Sequence, residues 1–226
     1  CSSDLVTVAK EVVRLLGELR SDEAYKLLLS LDQPTLHRDI RIALCRALWD
    51  HLHRDETWQI LRQAATGPDF ILATRIGDIP AERLTVQSDA KLAQVLTLVL
   101  ARPEPEARRD LLQKAPSLPL RDHSRGFLLA CLSRLDSRYY DEVESAMRAI
   151  LLRAIPSDVP AFEAQLRNTK PNRRALAIVV EQLGAVFDRK TTLHVRLGEA
   201  ITNVLSSDPL LTTLHLRAMS KLLLPD

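Results

Sequence analysis

Apolar residues recur along this chain at intervals of three and four positions, the spacing of an α-helix with one buried face. Alternation of apolar and polar residues, which is typical of a strand, is nearly absent. The clearest stripes are Leu5, Val8, Val12, Leu16 and Leu19; Val143, Ala146, Met147, Ile150 and Leu151; and Leu193, Leu197, Ala200, Ile201 and Val204. The pattern therefore predicts an all-α protein.

Polar breaks between the stripes divide the chain into about thirteen helices joined by short turns. Pairing neighbours gives one opening helix and six antiparallel hairpins. The opening helix is predicted at 4–19 and the hairpins at 21–53, 55–79, 88–115, 122–154, 157–187 and 191–224. We expect residues 1–226 to form a single array, because a hairpin with two apolar faces buries both only when neighbours stack on it.

Polar residues at the predicted helix starts indicate how the first turns are closed. Ser21, Ser88 and Ser157 are placed to accept hydrogen bonds from free backbone N–H groups. Asp141 and Glu144 have the spacing of a capping box, with Asp in place of Ser or Thr. These residues predict helices that begin beside them.

An apolar residue followed by Arg recurs in the second helix of several predicted hairpins. The clearest copies are Asp39-Ile40-Arg41-Ile42-Ala43-Leu44 and Glu106-Ala107-Arg108-Arg109-Asp110-Leu111. This repeat resembles the turn motif of the HEAT-repeat (armadillo-like) family, although the second hairpin has Leu72 and the fourth has Glu144 at the Arg position. The resemblance implies a right-handed α-solenoid whose second helices line a concave surface. The Trp, Gly and Tyr signature of tetratricopeptide arrays is not found.

The opening helix is apolar over an unusually broad surface for the end of an array. Terminal units normally carry a polar outer face. Val6, Val8, Val12, Val13 and Leu15 instead spread around the predicted helix. We therefore expect that further repeats precede it, in a larger parent protein whose other domains are candidate partners.

Composition narrows the cellular setting. The net charge of +2 is too small to indicate nucleic acid or an anionic membrane by itself, and no apolar run reaches the roughly 18 residues of a membrane span. Cys45 and Cys131 lie in apolar helical runs and are expected to be small buried side chains. A cytoplasmic protein is predicted. Cys1 leaves a lipid-anchored bacterial protein as the alternative.

Arginines at the turns and on the second helices are the main candidates for a binding surface. Two interpretations stay open: a basic inner groove for an acidic partner or a phosphate backbone, and a structural ladder in which each Arg binds a carboxylate of a neighbouring unit. Partners available to a ladder are Asp32, Asp69, Asp78 and Asp136. Exposed tyrosines beside Arg have the composition of binding hot spots. The candidate binding residues are Arg38, Arg41, Arg108, Arg109, Arg173, Arg174, Arg217, Tyr139 and Tyr140.

Motifs for catalysis are weak. Trp49 and Trp58, with Asp50 and Asp55, are the types that HEAT-like DNA glycosylases use, but both tryptophans continue apolar stripes. The histidines have no metal-ligand spacing, and no phosphate-binding glycine loop occurs. We therefore predict a non-catalytic scaffold or sensor that needs no metal or cofactor and binds a protein. Nucleic-acid binding or glycosylase activity is the alternative, followed by a HEAT-like lyase.

Overall fold

The computed structural model describes residues 3–118, 125–169, 172–185, 192–204 and 209–223, which form helices and turns without a strand. The described residues contain thirteen α-helices, so the predicted all-α class and the predicted number of helices are confirmed. They are α1 (Ser3–Leu19), α2 (Asp22–Ser30), α3 (Arg38–Ala47), α4 (Asp55–Thr66), α5 (Phe70–Thr74), α6 (Val86–Leu100), α7 (Pro105–Lys114), α8 (Arg125–Leu132), α9 (Tyr140–Arg153), α10 (Val159–Thr169), α11 (Arg173–Ala185), α12 (Thr192–Thr202) and α13 (Pro209–Leu223).

The predicted spans enclose these helices closely. Helix α1 matches the predicted 4–19 to one residue, and five of the six predicted hairpin spans contain two of the remaining helices in chain order. In the third span, 88–115, α6 begins two residues earlier than predicted. Helices α3 and α5 continue into short 3-10 turns at Leu48–His51 and Arg75–Asp78. Cys1 and the predicted limits at 122, 187, 191 and 224 lie outside the described residues.

Two predicted caps agree with the structure in part. The Ser21 hydroxyl accepts the backbone N–H of Ala24 at 3.1 Å, as predicted. Helix α6 begins at Val86, two residues before the predicted start, because Thr85 is its N-cap. Ser88 therefore occupies the third helical position, where its hydroxyl accepts the Thr85 N–H at 2.7 Å.

The predicted cap at Asp141 is wrong, and the one at Ser157 stays a prediction. Tyr139 is the N-cap of α9, so Asp141 lies inside the first turn and does not begin the helix. Ser157 lies within a 3-10 turn at Pro156–Asp158, and the acceptor for the Ile155 N–H is Asp158 at 2.9 Å. In both cases the helical turn starts earlier than the polar residue suggested.

Contacts divide the described residues into two compact units. The first unit lies within Cys1–Ala107 and Leu118–Ser124, and the second within Arg108–Ser117 and Arg125–Asp226. In the first unit α1 packs on α2 and α3, α3 contacts α5, and α4 packs on α5 and α6. In the second unit α9 packs on α11 and α11 on α13, while α8 packs on α10 and α10 on α12. Within each unit, a helix therefore packs against the helix that comes two later in chain order, as α1 does on α3 and α9 on α11.

Helices α1 and α3 approach each other closely in the first unit. Val13, Tyr25, Leu28, Leu44 and Leu48 belong to a buried hydrophobic cluster at this contact. Beside that cluster, a Cβ added to Gly17 would lie 2.8 Å from the Ala47 Cβ, closer than two carbon atoms pack. The missing side chain lets the two helices run side by side, which brings their polar faces together.

The outer apolar face of α1 is exposed. Leu5, Val8, Val12, Leu15 and Leu19 are between 48% and 66% exposed. In the described part of the chain no helix combines the length and the apolarity needed to cross a bilayer.

Candidate functional site

Polar side-chain links between helices recur at a nearly constant sequence separation. The separations run from 31 residues, for Arg38 to Asp69, to 37 residues, for Arg153 to the Pro116 carbonyl. Further links of this kind join Tyr25 to Thr57, Arg54 to Asp22, Arg62 to Gln94, Arg83 to Asp50, Lys91 to Asp55, Arg102 to the Ala65 carbonyl and Arg108 to Glu142. Most of these links join a residue in one predicted hairpin span to a residue in or beside the next span.

Three candidate binding arginines belong to these links. Arg38 Nε lies 2.6 Å from Asp69 Oδ2, one of the partners expected for a ladder. Arg109 Nε lies 2.6 Å from Asp141 Oδ2. Arg108 donates from Nε to Glu142 Oε1 at 3.0 Å, and this pair is buried. Arg38 and Arg108 thus donate a hydrogen bond to a carboxylate more than thirty residues away, as the ladder interpretation describes. Arg109 makes an ion pair, but its Nε donates no hydrogen bond to a described residue.

The remaining candidate arginines differ in their surroundings. Arg41 is half-buried on α3, and its buried Nε has no hydrogen-bond partner among the described residues. Arg173 and Arg174 are exposed in the first turn of α11, and Arg217 is exposed on α13. The first unit holds Arg38 and Arg41, whereas the second unit holds the other candidates.

Five of the candidate residues meet at one edge of the second unit. The guanidinium carbons of Arg109, Arg138 and Arg108 lie 4.8, 4.9 and 5.8 Å from the centre of the Tyr139 ring. The guanidinium carbon of Arg174 lies 4.3 Å from the centre of the Tyr140 ring. These distances fall within the range of cation–π attraction. The structure thus brings together Arg108, Arg109, Arg174, Tyr139 and Tyr140, and it adds Arg138, which was not among the predicted residues.

A groove lies between α1 and α3 in the first unit. Its volume is about 740 Å³, which is in the usual range of ligand pockets. The α1 side contributes residues from Thr7 to Glu18, and the α3 side contributes Asp39, Ile42, Ala43 and Arg46. Gly17 and Ala47 form part of its floor, where the helices approach most closely.

Charged residues of both signs line this α1–α3 groove in equal number. The cations are Lys10, Arg14, Arg46 and Arg83, and the anions are Glu11, Glu18, Asp39 and Asp50. Arg14 binds both Glu11 and Glu18, and Asp50 binds both Arg83 and Arg20.

Three charges in the α1–α3 groove stand apart from these pairs. Lys10, Asp39 and Arg46 are exposed and make no ion pair with any residue that the structure describes. Their charges are therefore available to a ligand.

Buried titratable groups lie beside the helix contacts. His51 is 1% exposed, its ring centre is 4.8 Å from that of Tyr25, and burial lowers the pKa of its imidazole. Burial raises the pKa of the Cys45 and Cys131 thiols to about 12, so both stay protonated at neutral pH. The expectation that these two cysteines are buried is confirmed.

The Trp and Asp side chains that a glycosylase would use are engaged in structural contacts here. Trp58 is 1% exposed and donates from Nε1 to the Leu52 carbonyl at 2.7 Å, so its ring is closed to a stacked base. Asp55 forms an ion pair with Lys91, and Asp50 with Arg83. Across the described ranges, no group of three or more His, Cys, Asp or Glu side chains is placed to hold a metal ion.

Sequence reasoning missed the groove itself. Lys10 and Arg14 are four residues apart on α1, a spacing that places both on one helix face. That signal locates the groove only once α3 is known to pack on α1. Comparison with known proteins adds no relative, since no protein-family model, curated protein or solved structure matches the chain.

Proposed function

We propose that this chain is a non-catalytic scaffold of HEAT-like repeats, a right-handed α-solenoid that binds a protein partner on its concave face. Two features support the repeat architecture. Helices contact the helix two places along the chain, as successive layers of a stack do. The polar links recur at a narrow range of sequence separations, from 31 to 37 residues, as contacts between successive repeats would. Within the first unit, the proposal places the groove between α1 and α3 on the inner face.

The α1–α3 groove is the observation that carries the binding role. The α1 residues that line it, from Thr7 to Glu18, extend over about 17 Å at 1.5 Å per residue. At about 3.3 Å per residue, an extended peptide of roughly five residues fits that length. Lys10, Asp39 and Arg46 supply unpaired charges along it.

The charge balance of the groove favours protein over nucleic acid. A phosphate backbone gains affinity by pairing with a surplus of cations. Here the four lining cations are matched by four lining anions, so a polyanion meets as much repulsion as attraction. A peptide that carries both signs can complement such a surface.

The test uses peptide display on the full chain. A library of random dodecapeptides is selected on the wild-type protein, and single peptides are then measured by fluorescence anisotropy against Lys10→Glu/Arg46→Glu. The matched control is Lys26→Glu/Arg62→Glu, which changes the net charge equally at exposed positions on α2 and α4. We expect peptides that lose at least tenfold in affinity on the groove variant and less than twofold on the control.

Two results would count against the proposal. In the first, no selected peptide distinguishes the groove variant from the control. In the second, a 20-base-pair DNA duplex binds at 50 mM salt and loses that binding in the groove variant, which would make the groove a nucleic-acid site.

A further inference from the structure

The edge of the second unit carries a basic and aromatic surface that the α1–α3 groove does not explain. We propose that this surface, formed by Arg138, Tyr139, Tyr140 and Arg174, is a docking site for an acidic peptide segment of a protein partner. We call it the Arg–Tyr patch. It lies where α9 and α11 begin, since Tyr140 is the first residue of α9 and Arg174 the second residue of α11.

The charge of the Arg–Tyr patch is positive because its arginines differ in their partners. Arg108 and Arg109 are neutralised by Glu142 and Asp141. Arg138 and Arg174 are exposed, and neither forms an ion pair with a carboxylate of the described residues. The N-termini of two helices add positive potential at the same edge.

The Arg–Tyr patch is held in place before any ligand arrives. The Ser137 hydroxyl accepts the Tyr139 backbone N–H at 3.2 Å and donates to Glu142 Oε2 at 2.9 Å. Arg138 donates from Nη2 to the Tyr139 hydroxyl at 2.9 Å. Because the aromatic ring and its arginine are already ordered, a ligand loses less affinity to the ordering of side chains.

The contacts of the tyrosine rings favour an acidic peptide over single-stranded nucleic acid. Nucleic-acid platforms stack bases on free aromatic faces. Three guanidinium groups lie within 5.8 Å of the Tyr139 ring centre, and one lies 4.3 Å from that of Tyr140. A carboxylate needs only the outward N–H groups of Arg138 and Arg174, with which it forms charge-assisted hydrogen bonds.

The experiment measures anisotropy of a fluorescein-labelled decapeptide with eight Glu residues on the full chain at 50 mM salt. Arg138→Glu/Arg174→Glu should weaken binding at least tenfold, because each charge-assisted hydrogen bond contributes about tenfold or more. The matched control is Arg148→Glu/Arg167→Glu. It reverses two arginines of the same unit that are 57% and 55% exposed and changes the net charge equally. The control should stay within twofold of wild type.

Further arms keep the result specific to this site. Tyr139→Phe removes the acceptor that positions Arg138, and it should weaken the peptide by a smaller factor, about two to five. Lys10→Glu/Arg46→Glu should leave the decapeptide unaffected, so that failure of the α1–α3 groove and failure of the Arg–Tyr patch are separable. Circular dichroism of each variant establishes that it is folded.

Three outcomes would overturn the proposal. The decapeptide fails to bind the wild-type chain, or the patch and control variants weaken it equally. In the third outcome, a ten-residue oligothymidylate binds more tightly than the decapeptide and loses that binding in the patch variant, which would identify a nucleic-acid surface.

Discussion

The buried pair of Arg108 and Glu142 gives the sharpest prediction for the arginine ladder. The side chains are 7% and 0% exposed. Arg108 contacts Glu142 Oε1 through Nε at 3.0 Å and through Nη2 at 2.9 Å, and Ser137 donates to Oε2 at 2.9 Å. Arg108→Met keeps much of the aliphatic packing but leaves the Glu142 carboxylate buried with one donor. Breaking such a pair costs about 3–5 kcal/mol of unfolding free energy.

The adjacent arginine supplies a matched control. Arg109→Met makes the same chemical change in a pair whose side chains are 36% and 50% exposed. An exposed pair contributes at most about 1 kcal/mol. Replacing both members of the buried pair, in Arg108→Met/Glu142→Met, should recover most of the loss, because neither charge then remains buried alone.

Urea unfolding followed by far-UV circular dichroism measures these differences in free energy. Trp49 and Trp58 are the only tryptophans and both lie in the first unit, so tryptophan fluorescence does not substitute for circular dichroism here. Equal losses for Arg108→Met and Arg109→Met would refute the reasoning. So would a double variant that is no more stable than Arg108→Met.

Three further predictions concern stability. Burial lowers the pKa of His51 and His215, so their full contribution to the free energy of unfolding is present above the unfolded pKa of about 6.5. As the pH falls from there toward the folded pKa, each histidine should lower the free energy of unfolding by up to about 1.4 kcal/mol per pH unit. Urea midpoints that stay constant from pH 7 to pH 5 would contradict this. Gly17→Ala should lower the urea midpoint measured by tryptophan fluorescence, because the new Cβ would lie 2.8 Å from the Ala47 Cβ. Overpacking of this kind costs about 1–3 kcal/mol, whereas Ala gains about 1 kcal/mol over Gly in helix propensity. An unchanged or higher midpoint would show that α1 and α3 move apart without cost. Arg20 has a φ of 50°, in the left-handed region. Both Arg20→Gly and Arg20→Ala lose the guanidinium, but only Ala keeps a Cβ there, so the Gly variant should be about 1 kcal/mol more stable in the same assay. Equal midpoints for the two variants would refute the backbone strain.

The all-α class and the positions of the helices were predictable because helix periodicity is a local signal. The thirteen helices of the described residues follow from the apolar spacing and the polar breaks between stripes, and α1 agrees with its predicted bounds to one residue. Helix starts were less predictable where two polar residues compete for the cap. At α6 the chain uses Thr85 and places Ser88 in the third helical position, a choice that depends on the backbone conformation.

The contacts of the candidate residues were less accessible to sequence reasoning. Arg38 binds Asp69, a partner that the ladder interpretation named. Glu142 was not among those partners, although it lies two residues before the Glu144 that departs from the repeat motif. Which carboxylate meets Arg108 depends on the packing of helices more than thirty residues apart, and spacing within one helix carries no information about that registry.

The links at 31 to 37 residues also determine how the sequence of this protein can change. Replacing Arg102, which is buried and donates to the Ala65 carbonyl at 2.7 Å, leaves that backbone oxygen without its donor, and no side-chain exchange at residue 65 restores it. Where both members are side chains, as for Arg38 and Asp69, reversing one charge calls for a compensating reversal in the other. Among related chains, replacements should therefore be correlated at an offset of one hairpin, and the order in which the helices pack could be read from that offset alone.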